Sequence, residues 1–344
     1  MKYNNLSNTG LLVSELCFGA MTFGGVGRWT AIGQQTQDDA NTLIKIALDH
    51  GINFFDNANA YSGGLAEEIM GSALKQLTVQ RDLVVIATKL LARMGTGANQ
   101  LGLSRAHIYD SVDASLKRLQ LDHIDLLYIH GVDKITPLEE TMRGLEDVVR
   151  SGKVRYIGVC NQPAWRVVKA NAIASKMGWT SFKALQYYYA IASRDIEHNI
   201  IPMAEEEGLS VLPWSPLAGG FLSGKFDRNI TEAGNSRRDS FDFPPLDKEK
   251  AYDIIDVMRE IANERSVSVA QVALKWVMSQ KAVDSTIIGA KTEAQLKDNL
   301  NTVNWELIDT EMTVLNEISA QPLPYPNWMV ESQTANRVIK FPTE

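Results

Sequence analysis

Short apolar runs recur along the chain, and apolar and polar positions do not strictly alternate within them. This pattern is typical of strands that are buried on both faces of a sheet. Eight runs predict strands at 16–21, 52–55, 83–88, 124–129, 154–159, 183–186, 209–214 and 285–289. The sequence therefore predicts a sheet whose strands have little contact with water.

Segments with helical period lie between these runs. Apolar side chains recur on one helical face within 108–119 and again within 138–149. Capping boxes mark helix starts at 136–139, where Pro137 is expected at the first helical position, and at 268–271 and 292–295. The strand and helix signals alternate strictly, which implies parallel strands.

Eight strand-helix units fit a closed (β/α)8 TIM barrel better than an open doubly wound sheet, whose first strand would be followed by a GxGxxG motif that this chain lacks. Residues 3–13 are expected to form a hairpin on the barrel floor. Three long segments, 22–35, 91–103 and 215–247, follow strands and are expected to build the active face. No linker divides the chain, so we expect a single domain over 1–344.

Charge and cysteine content narrow the function classes. The 34 basic and 41 acidic residues leave a net charge of -7, which argues against bulk binding to nucleic acid or to an anionic membrane. Cys17 and Cys160 each lie in an apolar run and are expected to be free thiols in a reducing compartment. The sequence shows neither a secretory leader nor an uncharged apolar run of roughly 18 residues, so we expect a cytoplasmic protein without membrane contact.

Nearly every predicted strand is followed by a polar or otherwise distinctive residue. Asp56, Lys89 and His130 follow three consecutive strands, and Tyr61 comes five residues after Asp56. The remaining strand ends carry Cys160, Asn161, Gln186, Trp214, Ser215 and Lys291. A parallel barrel gathers the carboxyl ends of its strands at one rim, so these side chains are predicted to share a pocket.

Taken singly, each of these residues has an ordinary structural explanation: a helix cap for Asp56, a solvated lysine for Lys89, a core histidine for His130. Together they suit proton transfer. The Lys89 ammonium is expected to lower the pKa of Tyr61 from about 10 and make it a general acid, and Asp56 is expected to keep Lys89 charged. His130 would then donate a hydrogen bond to a substrate oxygen. No side chain can supply hydride, so the chemistry requires a cofactor.

Five segments resemble the aldo-keto reductases, specifically the aryl-alcohol-dehydrogenase-like branch related to potassium-channel β-subunits. They are GINFFDNANAYSGGLAEEIMGSAL at 51–74, ATKL at 87–90, LDHIDLLYIHGVD at 121–133, SGKVRYIGVCN at 151–161 and PWSPLAGGFLSGKF at 213–226. The resemblance covers almost the whole chain. It implies a catalytic tetrad of Asp56, Tyr61, Lys89 and His130, and each position has the expected residue type.

The resemblance also implies a bound nicotinamide cofactor. Asn161 and Gln186 would hold the carboxamide, and Trp214 would stack on the ring where many relatives have tyrosine. The implied cofactor contacts are Met21, Thr22, Asp56, Asn161, Gln186, Trp214, Ser215, Pro216, Leu217, Gly219, Lys225, Arg237, Gly289, Lys291, Gln295 and Asn299. For Arg237 a solvated surface charge is an equal alternative. Lys291 precedes a predicted helix cap, where an ammonium and the helix dipole both favour a phosphate, so NADPH is expected over NADH. Cys160 occupies a position where serine is common in that family.

Three functions remain open on these grounds. The first is reversible NADPH-dependent reduction of a small carbonyl, and the second is a redox-sensing or regulatory subunit. The third is a Schiff-base aldolase using Lys89. Metal chemistry is disfavoured because the five histidines lack ligand spacing. Four further residues have two possible explanations: they either reach the pocket, where they would favour apolar or aromatic carbonyls, or are ordinary packing. They are Trp29, Met94, Trp165 and Phe221. The sequence indicates no oligomeric state.

Overall fold

The structure is a computed structural model that describes residues 1–230 and 237–335. Eight of its strands are joined side by side in one parallel sheet. In chain order they are β3 (Leu16–Gly19), β4 (Phe54–Asp56), β5 (Val85–Leu90), β6 (Ile124–Ile129), β7 (Val154–Cys160), β8 (Ala184–Tyr188), β9 (Ser210–Trp214) and β10 (Thr286–Ile288). The order across the sheet is β10, β3, β4 and so on to β9.

The two edge strands of this sheet also meet. Val211 of β9 forms a parallel bridge with Val283, just before β10, and its carbonyl accepts from the Asp284 N–H at 3.2 Å. The sheet is therefore a nearly closed barrel, and the predicted (β/α)8 fold is confirmed. All eight predicted strands are present, with ends that differ from the prediction by at most two residues.

Helices follow the strands and cover the outside of the barrel. They are α1 (Gln37–Asp49), α2 (Leu65–Gln76), α3 (Arg105–Leu119), α4 (Leu138–Arg150), α5 (Ala164–Met177), α6 (Ile200–Glu207), α7 (Arg237–Ser240), α8 (Lys248–Arg265), α9 (Val269–Met278), α10 (Glu293–Leu300), α11 (Asp309–Ser319) and α12 (Asn327–Ala335). The caps predicted at Ser268 and Thr292 are present: each hydroxyl accepts the backbone N–H three residues on.

The cap predicted at Thr136 is wrong. Helix α4 begins at Leu138, one residue later than expected, and Pro137 occupies the cap position. The Thr136 hydroxyl instead donates to the Asp133 carboxylate at 2.6 Å. That carboxylate also accepts three backbone N–H groups, from Leu103, Ile135 and Thr136, and therefore competes successfully for the hydroxyl.

The amino terminus closes the floor of the barrel. Strands β1 (Tyr3–Asn5) and β2 (Leu12–Ser14) pair as the expected antiparallel hairpin. Leu6 and Val13 from this hairpin pack with interior side chains such as Tyr128. An alanine at Gly158 would place its Cβ 2.7 Å from the Tyr128 ring, so only glycine fits beside this interior tyrosine.

The long segments 22–35 and 91–103 lie at the opposite end, after the carboxyl ends of strands, as predicted, and so do 215–230 and 237–247. Residues 231–236 of the third predicted segment lie outside the described residues. The long segments carry short 3-10 turns at Gly27–Trp29 and Ala218–Ser223. Cys17 and Cys160 are buried and unpaired. Within the part of the chain that the structure describes, no helix is long and apolar enough to cross a membrane.

Candidate active site

The four candidate catalytic residues meet at the carboxyl end of the barrel. Asp56 ends β4, Lys89 lies in β5 and His130 follows β6, while Tyr61 opens a 3-10 turn, Tyr61–Gly64. The Lys89 ammonium donates to the Asp56 carboxylate, to the backbone carbonyl of Asn57 at 2.8 Å and to the Tyr61 hydroxyl at 3.2 Å. Three donations from one nitrogen fix both the acid and the tyrosine around it.

Burial and charge set the protonation of this cluster. Burial alone would lower the pKa of Lys89, but the attraction of Asp56, together with smaller contributions from Tyr61 and Cys160, outweighs burial and raises the pKa above its ordinary value. Burial raises the pKa of Asp56, against hydrogen bonds from Lys89 and Gln186. Because its direct contact is with a fully buried ammonium, we treat the two as an ion pair at neutral pH.

The expectation that Lys89 lowers the pKa of Tyr61 below its usual value is wrong for this structure. Lys89 does act in that direction, but burial raises the pKa of the buried phenol and dominates. Tyr61 therefore keeps its proton throughout the neutral range. A phenol that holds its proton next to an ammonium can give that proton away and have the resulting phenolate stabilised.

The His130 ring packs in a T-shaped arrangement against the Tyr61 ring. The two rings are 5.8 Å apart between centroids and 74° apart in orientation. Burial, followed by repulsion from Lys89, lowers the pKa of His130 to about 3. The imidazole is therefore neutral at pH 7 and has one N–H to donate, rather than a positive charge.

The residues predicted to hold a carboxamide are already bonded to their neighbours. The Gln186 side-chain amide donates to the Asp56 carboxylate at 2.8 Å, so it contacts the same acid as Lys89. The Trp214 indole N–H donates to the Asn161 side-chain oxygen at 3.1 Å. The Asn161 backbone N–H donates to the Gln186 carbonyl at 3.3 Å, which joins these bonds into one polar network that reaches Asp56 and Lys89.

A cavity of about 660 Å³ opens above this network. All sixteen predicted cofactor contacts line it, together with Tyr61 and His130. Lys89 does not line it, because its side chain is fully buried beneath Asp56 and Tyr61. The structure thus gathers residues from positions 21 to 299 around one space.

One end of the cavity carries three cations. Lys225, Arg237 and Lys291 all line it. Burial, followed by repulsion from Arg237 and Lys225, lowers the pKa of Lys291. Burial and the adjacent Arg238 lower the pKa of Arg237 to about 10. Cations that repel one another within a partly buried cleft are a feature of anion-binding sites.

The cavity wall near these cations also leaves room for a ligand. Gly220, at φ 92°, and Gly289 have no heavy atom within 4 Å of the place where a Cβ would stand. Helix α10 starts just beyond Lys291, so its first N–H groups face the same region. Cations, open glycines and a helix start at one place suit a ligand that carries phosphate.

Sequence reasoning missed two aromatic residues of the cavity, Phe241 and Phe243. The Phe243 ring stacks on Trp214 with centroids 5.9 Å apart and planes 11° apart. Both lie in the loop 215–247, which has no regular period from which their orientation could be predicted. Of the four residues expected to reach the pocket or merely to pack, Trp29 lines the cavity.

The other three residues lie elsewhere. Phe221 is buried in the core, where it stacks on Phe226 with centroids 5.0 Å apart. Trp165 is 63% exposed at the start of α5, outside the cavity lining. Met94 is half-buried and is also absent from the lining. Ordinary packing therefore holds for Phe221, whereas the expectation that Trp165 and Met94 reach the pocket is wrong, and Trp165 is not packed in the core either.

Comparison with known proteins bears directly on this arrangement. The model of the Aldo/keto reductase family matches residues 15–320, a span that contains the whole barrel and every residue of the cavity. The chain belongs to the aldo/keto reductase family. It is thus an oxidoreductase of a family that generally uses nicotinamide cofactors and acts on small molecules.

Individual relatives of this aldo/keto reductase differ in their named functions. A probable voltage-gated potassium channel subunit beta of Arabidopsis thaliana is 36% identical over 312 residues, 88% of this chain and 92% of that protein. Versiconal hemiacetal acetate reductase of Aspergillus parasiticus is 36% identical over 343 residues, with 92% and 96% covered. The putative aryl-alcohol dehydrogenase C977.14c of Schizosaccharomyces pombe is 34% identical over 337 residues, with 92% and 95% covered.

Proposed function

We propose that this aldo/keto reductase reduces an aldehyde or ketone with NADPH and that Tyr61 is the general acid. The observation that carries the proposal is the Tyr61 hydroxyl, which lines the cavity 3.2 Å from the buried Lys89 ammonium. Asp56 holds that ammonium from the other side. A Schiff-base role for Lys89 is disfavoured, because a lysine that is fully buried, charged and bonded on three sides is a poor nucleophile.

The side chains divide the proton chemistry among them. A carbonyl oxygen in the cavity would accept hydrogen bonds from the Tyr61 hydroxyl and the neutral His130 N–H. When bound, the nicotinamide cofactor supplies the hydride. Tyr61 gives its proton to the oxygen, and the Lys89 ammonium stabilises the phenolate that remains. The reverse reaction, oxidation of an alcohol, uses the same groups, with the Tyr61 phenolate as the base.

The preference for NADPH rests on three cations that line the cavity and repel one another, Lys225, Arg237 and Lys291. A 2′-phosphate adds negative charge that they would neutralise, and this relieves the repulsion that, after burial, lowers the pKa of Lys291. NADH lacks that group and would leave the repulsion in place.

An apolar or aromatic carbonyl is the substrate class that best suits the wall around Tyr61. Trp29 packs edge-on against the Tyr61 ring with centroids 5.2 Å apart, and Ile32, Phe241 and Phe243 add further apolar surface to the cavity. Burying such a substrate gains roughly 25 cal/mol for each Å² of apolar surface removed from water.

We also propose that residues 1–344 form one domain and that the protein acts in the cytoplasm. Its partners would be small molecules rather than nucleic acid or a membrane.

The test is turnover of NADPH with a panel of aromatic and aliphatic aldehydes, followed by loss of cofactor absorbance. We expect wild-type turnover and a loss of about 10²–10⁴-fold in kcat for Tyr61→Phe, because the variant lacks the acidic proton. NADPH affinity, measured by quenching of tryptophan fluorescence, should stay within about twofold, since the hydroxyl is not a proposed phosphate contact. Equal activity of the variant and the wild type would refute Tyr61 as the acid.

A second candidate, a redox-sensing or regulatory subunit, is favoured by the similarity to the plant potassium channel subunit beta. It predicts that NADPH binds tightly but is oxidised only once per protein molecule in the presence of excess aldehyde. Many turnovers per molecule favour the reductase. A single stoichiometric burst favours the regulatory subunit.

A further inference from the structure

The residue next to the proposed acid has an unusual backbone. Ser62 has φ 49° and ψ 34°, in the left-handed region that favours glycine, although glycines occupy the next two positions. Its side chain is buried, with 5% exposed. Because glycine would adopt this conformation without strain, the presence of serine suggests that its hydroxyl has a use.

That hydroxyl is bonded twice to the loop 22–35. It donates to the carbonyl of Phe23 at 2.9 Å and accepts from the N–H of Gly25 at 2.9 Å. The same loop carries Trp29, which lines the cavity and packs edge-on against Tyr61. Ser62 thus joins the turn that holds the acid to the loop that forms the adjoining wall.

The two limbs of the loop 22–35 are held together by contacts of their own. A Cβ on Gly25 would lie 2.1 Å from the carbonyl oxygen of Gly33, so the two limbs touch. At the base, the Gln35 N–H donates to the carbonyl of Thr22 at 3.2 Å, and its carbonyl accepts from the Gly24 N–H at 3.0 Å. The loop is also anchored at its ends, where Phe23 is buried in the core and the Gln35 side-chain amide donates to the carbonyl of Lys291 at 3.2 Å. The two bonds of the Ser62 hydroxyl are the ones that hold it to the turn of Tyr61.

We propose that Ser62 is a positioning residue that fixes the loop 22–35 against Tyr61 and thereby determines how tightly aromatic carbonyls bind. The proposal rests on the proposed reductase function, since the wall it sets is the wall of the carbonyl pocket. A substrate large enough to reach Trp29 depends on that wall. A small aliphatic aldehyde held only at Tyr61 and His130 does not.

The experiment uses the full chain with Ser62→Gly, which removes the hydroxyl and also relieves the strained backbone. These two effects on folding oppose each other, so the variant should fold. The matched control is Ser7→Gly. Ser7 is also a left-handed serine, at φ 54°, whose hydroxyl donates to a backbone carbonyl, that of Gly208, but it lies on the barrel floor.

We expect Ser62→Gly to raise KM for benzaldehyde about fivefold, the value of roughly one net hydrogen bond, with a smaller rise for propanal. Ser7→Gly should change neither KM. Equal rises for both aldehydes in Ser62→Gly, or no rise at all, would overturn the proposal, since loss of a merely structural bond would not discriminate between substrates by size.

A second measurement does not depend on turnover. Hydrogen exchange of the backbone amides in 22–35 should be faster in Ser62→Gly than in wild type, and Ser7→Gly should leave it unchanged. If wild type turns over no carbonyl, the proposed function fails, and exchange alone then decides whether Ser62 fixes the loop. Unchanged exchange in Ser62→Gly would show that it does not.

Discussion

The neutral His130 makes a prediction that can be tested on folding rather than on activity. Its pKa is about 3 in the folded protein, because burial and the nearby Lys89 ammonium oppose a positive charge on the ring. In the unfolded chain the ring titrates near 6.5. Replacing His130 with asparagine removes the titrating group and keeps a polar side chain of similar reach.

The sign follows from the direction of the shift. Between pH 6.5 and pH 3 the unfolded chain binds a proton on His130 that the folded chain does not, so stability falls as the pH falls through this range. For the two pKa values, the loss between pH 7 and pH 5 comes to about 2 kcal/mol. The ring lines the cavity and keeps some contact with solvent there, so we expect about 1–2 kcal/mol.

The assay is urea unfolding at pH 7 and at pH 5, followed by fluorescence and by circular dichroism to check that the two transitions coincide. The drop in unfolding free energy between the two pH values should be about 1–2 kcal/mol smaller in His130→Asn than in wild type. His50→Asn is the control, since His50 is exposed at the end of α1. If His130→Asn and wild type lose the same free energy, the ring is not held neutral by its surroundings.

Two further substitutions test the charges at the two ends of the cavity. Lys89→Met should lower the unfolding free energy at pH 7 by about 3 kcal/mol or more, because it leaves the Asp56 carboxylate buried and unpaired. Adding Asp56→Asn should recover part of that loss in the same urea titration. An unchanged urea midpoint in Lys89→Met would contradict the ion pair. Lys291→Met should raise KM for NADPH about tenfold and leave KM for NADH nearly unchanged in steady-state assays; equal rises would show that Lys291 does not distinguish the two cofactors.

The location of the tetrad was predictable because it depends only on topology. In a parallel barrel the end of every strand reaches the same rim, so Asp56, Lys89 and His130 had to converge once the eight strands were found. Tyr61 follows for a similar reason, since only four residues separate it from Asp56. The sixteen cofactor positions came from the family resemblance, and the structure places all of them around the cavity.

The pKa of Tyr61 and the orientation of Phe241 and Phe243 could not be predicted from the residue pattern, because they depend on burial depth and on tertiary contacts. The pKa of Tyr61 depends on how deeply the phenol is buried, and depth outweighs the nearby ammonium. Phe241 and Phe243 enter the cavity from a loop without period, where the direction of a side chain depends on tertiary contacts. Their position becomes visible only through such contacts, as where the Arg237 guanidinium donates to the carbonyl of Phe243 at 2.8 Å.

The charge of the cavity wall differs from one part to another, and this difference favours one orientation of a charged ligand. At the base, the Asp56 carboxylate cancels the Lys89 ammonium, and His130 is neutral, so a neutral carbonyl can approach without an opposing field. Elsewhere on the cavity wall, Lys225 and Lys291 carry charges that repel each other and favour an anion. If NADPH is the cofactor, as proposed, we expect its phosphates to lie near these two lysines and its neutral reactive ring to lie next to Tyr61.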